Sequence, residues 1–193
     1  AYRFVEAQSP ERERGDVDYI ASVDDLNRTK QQTFERLIND EMSDGECGGF
    51  LVWGDPALYD STVRILQAIL ASGRCAFEFE VIPGITSVQA LAAQHKVPLN
   101  TIGRSIEITT GRRLAAGQVS DADSLVVMLD AEDSYHHVAD PQTEIFWGAY
   151  LGTPDEILIS GKLGDVADEI ERVRKAARLE HGWIMDTYLL RKP

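Results

Sequence analysis

Two short stretches carry residue types from which chemistry could be built. In the first, the apolar run Phe50-Leu51-Val52-Trp53 ends in Gly54-Asp55-Pro56. In the second, the apolar run from Phe77 to Ile82 ends in Pro83-Gly84-Ile85-Thr86-Ser87. One loop offers a carboxylate. The other offers two hydroxyls and the open amides of a helix start. A glycine in each lets the backbone approach a ligand closely. This equipment suits gripping a small polar molecule. It does not suit nucleophilic attack, and the sequence contains no nucleophile elbow, phosphate-binding loop or zinc signature. Each loop also has a plain reading as helix-start chemistry. Asp55-Pro56 makes a good N-cap with proline at the first helical position. Thr86 with Gln89 fits a capping box.

The elements that would position these loops follow from periodicity. Strand, turn, helix, strand, turn, helix over residues 50–91 makes a βαβ unit. In a parallel sheet, ligands sit beyond the carboxyl ends of the strands, where both loops would lie. The helical pattern of 57–72 places Leu58, Thr62, Ile65 and Ile69 on one face, flanked by Leu66 and Leu70, and Gly73 closes it. Before this unit, residues 1–7 read as a short strand and 8–18 as a loop. Residues 25–42 read as a helix burying Leu26, Phe34, Leu37 and Ile38, ended by the glycines of 43–49.

After the Pro98 connection the pattern changes. Strands are expected over 105–110, 124–129, 144–151, 156–160 and 183–190, with a helix over 165–179. That helix should bury Val166, Ile170, Val173 and Ala177. Its late bases, Arg172, Arg174, Lys175 and Arg178, match the helix dipole. Short links and many strands imply a mixed, partly antiparallel sheet. The fold class is therefore α/β with two subdomains, 1–98 and 99–193.

Composition narrows the partners. The chain has 193 residues, 44% hydrophobic and 26% charged, with a formal charge of −13. Such a charge repels nucleic acid and anionic membranes. An anionic substrate would need a local arginine cluster; Arg104, Arg112 and Arg113 around one expected strand end could bind carboxylates bidentately. Cys47 and Cys75 form neither a metal-ligand spacing nor a disulfide framework, which favours a reducing cytoplasm. No membrane span and no metal site are expected.

The segments 53–59 (Trp-Gly-Asp-Pro-Ala-Leu-Tyr), 81–87 (Val-Ile-Pro-Gly-Ile-Thr-Ser) and Gly152-Thr153-Pro154 resemble the tetrapyrrole methylases, enzymes of cobalamin and sirohaem synthesis that use S-adenosylmethionine. Three further segments, 108–114, 147–156 and 181–188, resemble the branch that methylates C1 of precorrin-5 and releases acetate. The likeness covers essentially the whole chain. It departs at the start: the family's opening strand and Gly-x-Gly-Pro-Gly-like loop have no counterpart, so the chain is expected to begin about one βαβ unit late, with the first, mostly parallel sheet lacking that strand.

The resemblance implies two α/β subdomains with the cofactor folded between them, usually in a homodimer. It implies that Trp53, Gly54, Asp55 and Leu58 line the cofactor, that Thr86 and Ser87 bond to it, and that Met128, Ala149 and Gly152 enclose its adenine. S-adenosylhomocysteine would be a product, and the substrate a tetrapyrrole polycarboxylate. Methyl transfer from a sulfonium needs alignment rather than a nucleophile. Acetyl release needs water and is helped by a base. Tyr59, Asp130, His136 and His137 are the candidates, each with a bland alternative as a packed or solvated side chain. Two other readings stay open: a sister methylase, including a diphthine synthase-like enzyme, and a non-catalytic nucleotide-binding module.

Overall fold

A computed structural model describes residues 2–7 and 19–193, in two compact units, Ala1–Gly84 and Ile85–Pro193. The expected loop 8–18 lies outside the described residues. The units divide earlier than the 98/99 boundary read from the sequence. The reason is the helix Ser87–His95, whose apolar residues Val88 and Leu91 are buried and which packs on the strands of the second unit.

In the first unit, helix α1 (Tyr19–Glu41) packs on helix α2 (Thr62–Ser72). Ile65, Leu66 and Ile69 of α2, spaced at helical intervals, bury with Cys75 against Phe34, Ile38, Phe77 and Phe79. Gly73 ends α2 in the left-handed conformation, φ 70°, with its N–H on the Leu70 carbonyl. Helix α2 starts five residues later than the pattern predicts, because residues 55–59 form a turn and Asp60 accepts the Thr62 N–H at 2.7 Å.

The runs 50–53 and 77–82, and residues 2–7, are not strands. A strand exists through its ladder, and the described residues offer these runs none. The alternation is still there: Cys75, Phe77 and Phe79 turn inward while Glu78 and Glu80 face water. The mostly parallel sheet expected in this unit is therefore absent among the described residues, and the sheet of the α/β fold lies wholly in the second unit.

That unit opens with helix α3 (Ser87–His95) and continues β1 (Ile106–Thr110), α4 (Gly111–Ala115), β2 (Ser124–Met128), a 3-10 turn (Ser134–His137), β3 (Glu144–Ala149), β4 (Ile157–Lys162), α5 (Leu163–His181) and β5 (Asp186–Arg191). The strands order β1-β2-β5-β3-β4. β1 and β2 are parallel; β5 runs antiparallel to β2 and β3, and β4 antiparallel to β3. This is the mixed sheet expected. Register separates its faces. Leu125, Leu190 and Ile145 share one row, and Val127, Tyr188 and Trp147 the next. With Leu163, Ile170 and Ala177 of α5 they form the main core. Tens of square ångströms of apolar surface per side chain leave water there, each worth about 25 cal/mol per Å².

Candidate functional site

Two constellations hold most of the residues singled out by the sequence. The first is the loop pair of the first unit. Asp55 accepts the Ala57 N–H at 2.8 Å with one carboxylate oxygen and the Gly84 N–H at 2.7 Å with the other. These bonds, Gly84 first, hold its pKa below the usual carboxylate value. Asp55 is thus a clamp between two loops rather than an N-cap of α2. The clamp needs glycine at 84: a Cβ there would stand 2.0 Å from the Gly54 carbonyl oxygen. Gly54 itself has φ 68°, in the left-handed region. Beside it Trp53 is 74% exposed, an indole held out into solvent. Leu58 is half-buried in the turn, and its N–H bonds to the Asp55 carbonyl at 3.3 Å. Tyr59 has φ 53° and is exposed.

The second constellation lies along one end of the mixed sheet. There β1, β2 and β3 finish and β5 begins, so Thr110, Met128, Thr187 and Gly148 fall in one row. Ala149 pairs with Asp186 one step further out. Helix α3 starts at this row. Thr86 makes the expected capping box, accepting the Val88 and Gln89 N–H groups while the Gln89 side chain takes the Thr86 N–H. The Thr86 side chain is thereby committed to the cap. Ser87 is placed differently: its hydroxyl meets the Thr187 hydroxyl at 3.0 Å, across 100 residues of chain. Met128 is half-buried, Ala149 buried, and Gly152 sits in a turn with φ 78° and its N–H on Glu156 at 2.8 Å.

Two non-glycine residues at this edge adopt positive φ: Leu129 just past β2, at 53°, and Tyr150 just past β3, at 51°. Each costs on the order of 1–2 kcal/mol of backbone strain. Leu129 is 59% exposed, so packing does not explain it. Tyr150 is buried, its hydroxyl on the Trp183 carbonyl at 2.5 Å and its ring edge-on to His181 and Trp183.

Behind the edge lies a buried polar cluster that sequence reasoning missed as a unit. Asp130 is 6% exposed and accepts from the Ser134 N–H (2.7 Å), the Ser134 hydroxyl (2.8 Å), the Glu132 N–H (3.1 Å) and the Tyr188 hydroxyl (2.7 Å). These four donors tie the corner after β2 to the 3-10 turn and to β5. Gly111, which opens α4, lies against it; a Cβ there would be 2.4 Å from Asp130 Oδ1. Arg174 of α5 is 4% exposed. Its Nε bonds to Asp186 at 2.9 Å, one terminal nitrogen lies 3.2 Å from Asp133, and the other donates to the Asp130 carbonyl at 2.5 Å. The Trp147 indole N–H completes the set on Asp186 at 3.0 Å. Burial lowers the guanidinium pKa, but Asp186, Asp133 and Asp130 outweigh it, and the net shift is upward. Burial, with the Asp130 charge, keeps the Tyr188 phenol protonated far above its ordinary range. The sequence read Arg174 as one of the late bases matched to the helix dipole. Its place in the stripe Leu163, Ile170, Arg174, Ala177 was the signal available.

The remaining candidates are exposed, and α4, which carries Arg112 and Arg113, packs against the 3-10 turn that carries His136 and His137. His136 is exposed on the 3-10 turn, its Nε2 3.4 Å from Glu171, and His137 is exposed beside it. Arg112 and Arg113 are exposed on α4, where Arg113 donates to the Gln118 carbonyl at 2.7 Å. Arg104 lies 3.9 Å from Asp123. Among the described residues no group of three or more His, Cys, Asp or Glu is arranged to hold a metal, and no helix is long and apolar enough to cross a membrane.

The chain is similar to several known proteins. Precorrin-6A synthase (deacetylating) from Sinorhizobium sp is 52% identical over 190 residues, covering 98% of this chain and 73% of that protein. Cobalt-precorrin-2 C(20)-methyltransferase from Salmonella typhimurium is 33% identical over 91 residues, 46% of this chain and 37% of that one. The crystal structure of a cobalamin synthesis related protein, CobF, from Corynebacterium diphtheriae superposes with a TM-score of 0.81 at 39% identity, covering 89% of this chain and 72% of that one. The model of the tetrapyrrole (corrin/porphyrin) methylases matches residues 2–167. With more than half its length matched, the chain belongs to the tetrapyrrole methylase family.

Proposed function

We propose that this chain is an S-adenosylmethionine-dependent C-methyltransferase of corrin synthesis, which methylates C1 of precorrin-5 and releases acetate to give precorrin-6A. The observation that carries the reading is the 52% identity to a deacetylating precorrin-6A synthase over nearly the whole chain. The residues present suit the methyl donor. The Ser87 and Thr187 hydroxyls form a pair that can both donate and accept, as a ribose or an amino acid end requires. Beside them Met128 and Leu129 offer apolar, partly open surface suited to an adenine face. Ala149 and Gly152 are small residues near the same edge. In the first unit, Trp53, Gly54, Asp55 and Leu58 are proposed donor contacts, with Asp55 acting through the loops it clamps. Thr86 contributes by fixing the start of α3.

When bound, S-adenosylmethionine supplies a methyl group already activated on a sulfonium. The protein's task is to align the ring carbon and exclude competing solvent. Transfer would form one carbon–carbon bond on the ring and break the donor's sulfur–methyl bond, the electron pair leaving with S-adenosylhomocysteine. Acetyl release consumes one water, breaks one carbon–carbon bond and leaves the electron pair on the macrocycle as acetate departs. His136 and Tyr59 are the proposed proton-handling groups for that step. Asp130, with four donors on its carboxylate, is assigned to holding the scaffold. Arg112 and Arg113, exposed on one turn, are proposed to bind substrate carboxylates, with Arg104 as a third. The reading includes a cytoplasmic location and a homodimer, of which sedimentation of the protein tests the second.

A comparison of acceptors tests the activity. Full-length protein with S-adenosylmethionine should methylate precorrin-5 far faster than uroporphyrinogen III or precorrin-2. Equal or preferred turnover of another tetrapyrrole would assign the chain to a sister reaction.

A further inference from the structure

The buried cluster around Arg174 needs a reason beyond stability. Taking a guanidinium and carboxylates out of water is costly, and replacing a buried ion pair with apolar side chains of similar size is often neutral or stabilising. Arg174 sits at a buried position of α5 between Ile170 and Ala177, where an apolar residue would continue the stripe. Instead it sends three nitrogens to three residues on two chain segments: the first residue of β5 (Asp186) and, in the connection after β2, the Asp130 carbonyl and Asp133 just before the 3-10 turn. These segments border the row that holds Met128 and Thr187.

The same cluster bears on the strained residue. Leu129 lies between Met128, fixed in the ladder, and Asp130, fixed at its carbonyl by Arg174 and at its carboxylate by Ser134 and Tyr188. A left-handed leucine that is 59% exposed is not there for its own packing. It persists because both neighbours are over-determined.

We propose that Arg174 is a positioning residue for the donor-binding edge: its three-way fork holds the Met128-Leu129-Asp130 corner and the start of β5 in the arrangement that binds the methyl donor. The inference rests on the methyltransferase reading above. It requires the fork geometry and not merely a positive charge. Lysine, a single ammonium, cannot reach three acceptors in one plane.

The test compares variants of the full-length protein by calorimetric titration with S-adenosylhomocysteine, with thermal melts alongside. Arg174→Lys is expected to stay folded at the titration temperature and bind at least tenfold more weakly. Ile170→Val removes a core methylene from the same helix without touching the cluster, and should bind within twofold of wild type even as its melting point falls. Tyr188→Phe, which deletes only the hydroxyl on Asp130, should weaken binding about threefold or more, and it decides the matter if Arg174→Lys does not fold. Unchanged affinity in folded Arg174→Lys overturns the inference, as does an equal loss in Ile170→Val. Unchanged affinity in Tyr188→Phe, where Arg174→Lys is unfolded, overturns it too. A wild-type protein that does not bind S-adenosylhomocysteine overturns the methyltransferase reading first, and the inference with it.

Discussion

Replacing Leu129 with glycine should make the protein more stable and a poorer binder of the methyl donor. The residue has φ 53° just past β2. An L-residue in that conformation costs about 1–2 kcal/mol, which glycine releases. Glycine loses more backbone freedom on folding, about 0.5–1 kcal/mol relative to alanine. The side chain is 59% exposed, so little burial is forfeited. The balance is a gain of roughly 0.5–1 kcal/mol, or about 1–4 °C in melting temperature for a chain of this size. Alanine is the control, since it removes the same apolar group but keeps a Cβ and most of the strain. Urea melts of both variants, read by circular dichroism, separate the effects. Leu129→Gly should unfold later than wild type and Leu129→Ala no later. Both should weaken S-adenosylhomocysteine binding, because both lose the apolar group at the edge. If the glycine variant melts at or below the alanine variant, the strain argument is wrong. If it binds as well as wild type, Leu129 has no part in the donor site.

Gly111→Ala should destabilise by about 1–3 kcal/mol, because its methyl would overlap Asp130 and force the packed corner to move; a denaturant midpoint checks this. Asp55, Glu107 and Glu171 all have pKa values lowered in the folded state by hydrogen bonds. Their stabilising contributions are therefore complete above the unfolded carboxylate pKa and vanish as pH falls through the folded values, so the melting temperature should drop on acidification below about pH 4. Asp55→Asn should flatten part of that slope; an unchanged slope would remove Asp55 from the account. Replacing Arg112 and Arg113 together by alanine should raise KM for the tetrapyrrole while leaving S-adenosylhomocysteine affinity intact, and equal loss of both would undo the carboxylate assignment.

What the sequence made legible follows from how local each signal was. The Thr86 and Gln89 capping box is a contact between residues three apart, and it formed as expected. The strands of the second unit were read to within a few residues because each signal lies within one segment. Asp55 misled because its partner, Gly84, is 29 residues away, so a loop clamp looked like an N-cap. The runs at 50–53 and 77–82 have strand composition, but a strand is made by its neighbour and the described residues supply none. Arg174 was hidden by its type. An arginine late in a helix fits the surface and the dipole, and only the meeting of Asp130, Asp133 and Asp186 from elsewhere in the chain buries it.

The most direct measurement is the stoichiometry of the proposed reaction. Full-length protein given S-adenosylmethionine and precorrin-5 should produce S-adenosylhomocysteine and free acetate in a one-to-one ratio, one of each per macrocycle consumed. S-adenosylhomocysteine formed without acetate, or no turnover of precorrin-5 at all, would contradict the account.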